Sequence, residues 1–153
     1  MENVREELRG PHRTASVIGI AVVASLFVYL LVVEALRAKL RPFHGIASFP
    51  GVEALRYVFY GVAVLEVLAT RALQGLLLRR SPGDDLRTTV MKLGRTAAVT
   101  LCMSEVPALL GLVLFLLGGL NRDFYALLAV SLVLVFMYFP RLRSWEDWVE
   151  RKA

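Results

Sequence analysis

The chain has little of what catalysis and metal binding usually require. Of its 153 residues, one is cysteine and two are histidine. A lone Cys102 excludes a disulfide within the chain and any CxxC metal site. His44 has no second histidine, cysteine or carboxylate at ligand spacing and reads as a solvated loop residue. No Ser/His/Asp set, phosphate-cradling glycine loop or cofactor fingerprint is present, so neither an enzyme nor a cofactor site is expected. Charge is also sparse. Only 20% of residues are charged, too few to clothe a soluble domain of this length. The net charge of +5 lies mostly in loops and tails. There it reads as membrane topology and attraction to anionic headgroups, not as a nucleic-acid surface.

What the sequence does have is apolar length. Hydrophobic residues make up 57% of the chain and the mean hydropathy is +0.60. Four runs absorb most of them, at about 15–36, 57–78, 96–120 and 124–139. At a helical rise of about 1.5 Å per residue, about 20 residues cross a hydrocarbon core of ~30 Å. The last run is short, with Leu120 and Pro140 leaving room to adjust. The sequence therefore predicts an all-α, four-span transmembrane helical bundle. It forms one integral membrane domain over 1–153, with short loops and a short interfacial C-terminal helix. The first run is too long for a signal-peptide core and reads as an uncleaved span.

The connections carry their own signals. Glu2–Leu8 predicts a turn or two of surface helix, stopped near Gly10-Pro11. Pro42, Gly45, Pro50 and Gly51 mark the first loop. Tyr57, Phe59 and Tyr60 suit an interfacial belt. Ser81-Pro82-Gly83 predicts a turn, with Asp84 or Asp85 capping a short helix. Asn121-Arg122-Asp123 reads as a tight turn that makes the last two spans antiparallel neighbours. In the tail, Ser144 and Asp147 form a variant capping box, placing Trp145 and Trp148 in the interface. Of the 18 basic residues, twelve fall on the side of both termini and five on the other, with Arg71 inside a span. The positive-inside rule then puts both termini in the cytoplasm. The expected setting is a bacterial cytoplasmic (inner) membrane. Arg37, Lys39 and Arg41 oppose this orientation.

Three charges inside the spans carry the functional question: Glu66, Arg71 and Glu105. Measured from the cytoplasmic helix ends, Arg71 lies about 12 Å deep, Glu105 about 15 Å and Glu66 about 20 Å. Thr70 shares the face of Glu66 at i+4. Pro107 cannot donate to the Met103 carbonyl, and Thr100 and Ser104 add hydroxyls, so the third span should be kinked and polar near Glu105. Ala108, Gly111 and Gly118 suit close helix approach. Two readings stay open. The charges form a mutually satisfied network that fixes helix pairing, with Arg71 holding Glu105 ionised. Alternatively, Arg71 snorkels away and Glu105 is a proton-binding acid.

The run Glu105-Val106-Pro107-Ala108-Leu109-Leu110-Gly111-Leu112-Val113 resembles the second helix of the proteolipid c/K subunits of rotary ATP synthases and vacuolar-type ATPases. In that helix an ion-binding glutamate precedes an alanine and a glycine at these positions. The resemblance implies that Glu105 binds a proton, with Ala108 and Gly111 on the family's small-residue positions. The second span departs from the family: it has only Gly61 and Gly75 and carries Arg71, so a divergent or associated protein is implied, not a rotor subunit. Expected partners are the lipid bilayer and other membrane subunits or further copies of the chain, with no nucleic acid. The alternative is a non-catalytic bundle that assembles with partner membrane proteins.

Overall fold

Long apolar runs without internal glycine or proline clusters leave the backbone one way to satisfy its own polar groups, the α-helix. The computed structural model describes residues 2–40, 43–46, 51–78, 86–142 and 145–146. All of the described regular structure is helical: α1 (Glu2–Lys39), α2 (Val52–Leu77), α3 (Leu86–Met103), α4 (Val106–Gly118) and α5 (Asn121–Tyr138). Among these residues four segments are long and apolar enough to cross a membrane: Glu6–Lys39, Glu53–Leu77, Arg87–Gly118 and Asn121–Tyr138. Their outward faces are apolar. Leu31, Leu65 and Phe136 are 67%, 67% and 72% exposed, an arrangement that water disfavours and lipid accepts. The expected caps at Asp84, Asp85 and Ser144, the turn at Ser81–Gly83, and Arg41, Pro42, Pro50, Asp147 and Trp148 lie outside the described residues.

α1 runs parallel to the α3–α4 segment along its whole length. Pro11 meets Gly94, Gly19 meets Leu101, and the Phe43 ring lies on Phe115 with centroids 4.9 Å apart. α5 returns antiparallel to α4. Gly111 permits their close approach, because a β-carbon there would stand 3.1 Å from Leu127 and 3.2 Å from Phe124. α2 completes the bundle, with Ala63 packed among Leu114 and Leu127. The last turn of α5 and the start of α1 lie together, since the His12 ring Nε2 is 3.2 Å from the Pro140 carbonyl. We call this the terminal end and the other the loop end.

Three expectations are corrected. First, the helix does not stop at Gly10-Pro11 but runs through it. Pro11 withdraws one backbone donor, but Leu8 and Ala15 are fully buried against Val90, Leu93 and Trp145, and this packing carries the helix across the proline. Second, Trp145 does not face outward. It is buried in that same cluster, edge-on to His12 at 5.5 Å. Third, Asn121–Asp123 is the first turn of α5, not a loop. The chain reverses one step earlier, at Gly119, whose left-handed φ of 65° ends α4 and whose N–H donates to Phe115. The expected disturbance of the third span is a break at Ser104-Glu105, which divides that segment into α3 and α4.

The loop end holds two paired sets of charges, one local to α1 and one that joins distant parts of the chain. Asp123 is buried, accepts from Arg56 Nε at 2.8 Å and from the Tyr60 hydroxyl at 2.9 Å, and so ties α5 to α2. Arg37 bonds Glu34 at 3.0 Å and the Tyr125 hydroxyl at 2.8 Å, and Tyr125 also donates to Glu34. Two of the five basic residues on the side away from the termini, Arg37 and Arg56, are thus matched by acids. Arg56 is 43% exposed, which discounts its contribution. Arg56→Gln is expected to lower stability by roughly 1–2 kcal/mol in reversible unfolding from mixed micelles, through the buried carboxylate it leaves half-paired.

Candidate functional site

The break in the third segment builds the site. Pro107 has no N–H, and the Ala108 N–H turns out of the helix to donate to Ser131 Oγ of α5 at 2.8 Å. Ser131 thereby caps α4 from a neighbouring helix. Glu105 occupies the N-cap position of α4, but its carboxyl makes no capping bond. Its backbone N–H donates to Cys102 at 3.2 Å, a tightened turn in place of the α-helical bond. The Glu105 side chain instead reaches α1. Its Oε1 lies 2.5 Å from Ser25 Oγ and accepts from the Tyr29 hydroxyl. Ser25 and Tyr29 stand at i, i+4 on one face of α1.

Proton counting makes this arrangement informative. Ser25 Oγ also lies 2.7 Å from the Val22 carbonyl, yet it has one proton to give. If that proton goes to Val22, the short contact with Glu105 requires the carboxyl to donate, and the acid is neutral. If it goes to Glu105, the carboxylate accepts from both Ser25 and Tyr29 and sits at the positive end of α4. Gain or loss of a proton at the carboxyl, with rotation of the Ser25 hydroxyl, leaves the Oε1 bonds to Ser25 and Tyr29 in place in both states.

The other expected residues fall elsewhere. Glu66 and Thr70 are buried on α2, and Thr70 donates to Glu66 Oε1 at 2.8 Å. Glu66 Oε2 is buried with no hydrogen-bond partner among the described residues. Arg71 is exposed on the outer face of α2 and does not meet Glu105. Five residues of helix rotate it well away from Glu66, although α2 itself packs on the α3–α4 segment. Thr100 and Ser104 donate back along their own helix, to Thr96 at 2.9 Å and Thr100 at 2.7 Å, and do not bond Glu105. Ser25, Tyr29 and Ser131 were not among the expected residues. The i, i+4 spacing of Ser25 and Tyr29 was the available signal, but its meaning depends on which helix α1 adjoins.

Among the described residues, no three or more histidine, cysteine, aspartate or glutamate side chains are grouped to hold a metal. Compared with known proteins, the chain matches no family model, no curated protein and no solved structure.

Proposed function

We propose that this chain is a non-enzymatic integral protein of a bacterial cytoplasmic membrane that takes up and releases a proton at Glu105, in association with partner subunits or further copies of itself. The observation that carries this reading is the single oxygen of Glu105 shared by Ser25 and Tyr29, with the Val22 carbonyl as the alternative acceptor. A helix broken beside a carboxyl, in a segment apolar enough to span, is a pattern suited to ion sites. The likeness of residues 105–113 to the proteolipid helix agrees with the chemistry of an acid that cycles its proton. It does not extend to a rotor ring, since the face bearing Ala108 and Gly111 is covered by α5 of the same chain. Both termini belong in the cytoplasm in this reading. Basic residues dominate the terminal end, and Arg37 and Arg56 at the loop end are paired with acids.

A carbodiimide that reacts with protonated buried carboxyls tests the proposal. Peptide mapping by mass spectrometry should find Glu105 modified, with labelling that falls as the pH is raised and is absent from Glu105→Gln. Glu66→Gln separates any modification at the second acid. Glu105 unlabelled at every pH, while Glu66 in the same sample is labelled, would overturn the assignment. A second reading is favoured by one observation: the bonds from Ser25 and Tyr29 tie α1 to the break, as a purely structural clasp would. Stability that depends on these bonds but not on pH across the labelling range would select it.

A further inference from the structure

A second feature lies at the terminal end, away from Glu105. At the loop end α2 and α5 are tied through Asp123 with Arg56 and Tyr60. At the terminal end a cavity of about 470 Å³ lies between them, with Gln74 on α2, Thr96 and Thr100 on α3, and Phe136 and Arg141 at the close of α5. Its volume falls within the roughly 300–1,000 Å³ typical of small-ligand sites. Its depth is set by helix geometry. Counting a hydrocarbon thickness of about 30 Å back from Gly118 places the boundary near Ala98 on α3. The cavity therefore straddles the level where acyl chains give way to headgroups.

The lining sorts by chemistry. Leu93, Phe136 and Phe139 offer apolar walls. The hydroxyl protons of Thr96 and Thr100 are already given to the carbonyls of Lys92 and Thr96, at 2.7 and 2.9 Å, so these side chains present no unbonded donor to an apolar occupant. Among the described lining residues none is acidic, and Arg141 supplies a positive charge. Arg141 is exposed, with its guanidinium 5.5 Å from the centre of the Phe136 ring. Trp145, buried beneath Leu8 and Leu93, closes one side. We propose that this cavity binds an anionic amphiphile, an acyl chain lying against Phe136 and Phe139 with its acidic head at Arg141. A phospholipid of the surrounding leaflet and a free fatty acid share this chemistry.

Trp145 is the natural reporter, since the chain has two tryptophans and Trp148→Phe leaves it alone. Protein in mixed micelles is titrated with phosphatidylglycerol, phosphatidylcholine or a fatty acid, each brominated on the acyl chain. Anionic probes should quench Trp145 saturably, at concentrations about fivefold lower than phosphatidylcholine, the preference expected of one basic residue at a headgroup. Arg141→Gln should abolish that preference and keep the quenching. Ala97→Phe, which fills the cavity from α3, should abolish both. The tighter of the two anionic probes identifies the source. Equal quenching by phosphatidylglycerol and phosphatidylcholine in the parent, or quenching untouched in a folded Ala97→Phe, overturns the proposal. If Ala97→Phe does not fold, the exposed Arg141→Gln decides alone: an unchanged preference refutes the site.

Discussion

Glu105→Ala is expected to destabilise the bundle by ~2–3 kcal/mol, whereas Glu105→Gln should remain within about 1 kcal/mol of the parent. Alanine takes the acceptor away from the Tyr29 hydroxyl and leaves it unbonded between helices. Ser25 suffers less, because the Val22 carbonyl waits at 2.7 Å. Glutamine keeps a carbonyl oxygen where Oε1 stands and reproduces the neutral acid in shape. The separation between the two variants is therefore the informative quantity. A double-mutant cycle with Tyr29→Phe sharpens it: once Glu105 is alanine, losing the Tyr29 hydroxyl should be nearly without effect, giving a coupling of ~1–2 kcal/mol. Reversible unfolding from mixed micelles measures all four species. If Glu105→Ala matches the parent, the bonds to α1 contribute nothing and the site has no structural basis.

Gly45→Ala should be at least as damaging, with an expected loss of ~3 kcal/mol or more, and for a reason unrelated to protons. Gly45 has a φ of 93° and Gly119 one of 65°, the left-handed region where an L side chain costs ~1–2 kcal/mol. The two glycines also pass each other's strand of backbone. A β-carbon on Gly45 would stand 2.2 Å from the Leu117 carbonyl oxygen, and one on Gly119 2.7 Å from the Phe43 carbonyl. Backbone cannot yield as a side-chain tip can. Relief requires the first loop to lift off α4, breaking the bond from the Ile46 N–H to Leu116 at 2.8 Å and parting Phe43 from Phe115. Gly61→Ala is the matched control, since a β-carbon there meets nothing within 4 Å and alanine gains up to ~1 kcal/mol in a helix. Limited proteolysis of the first loop in Gly45→Ala should rise in parallel with the loss of stability.

These two sites are of different kinds, and they divide what each level of description holds. The helices themselves were legible in the residues, because apolar runs of sufficient length leave no other backbone arrangement in lipid. So was the disturbance at Pro107, because a missing N–H is a local fact of covalent chemistry. The extension of α1 through Pro11 was not legible. A proline's cost is local, but Leu8 and Ala15 offset it through contacts with Val90, Leu93 and Trp145, all distant in the chain. Arg71 shows the same division. Its depth follows from rise per residue, and Glu105 does lie on a segment that adjoins α2. Partnership also requires a shared face, and the rotation of each helix is set by packing.

Apolar length, the acid at 105 and the proline beside it are determined by the sequence alone, since each acts over one turn of helix or over the bilayer as a uniform solvent. Which helix the acid turns toward was decided by the fold. The parallel seating of α1 on α3 through Pro11, Gly94 and Gly19 brings Ser25 and Tyr29 to Glu105, and Ser131 arrives from α5. Those partners are separated from the acid by long stretches of chain. Side-chain volume at the helix contacts, and not any periodicity along the strand of residues, is what selects them.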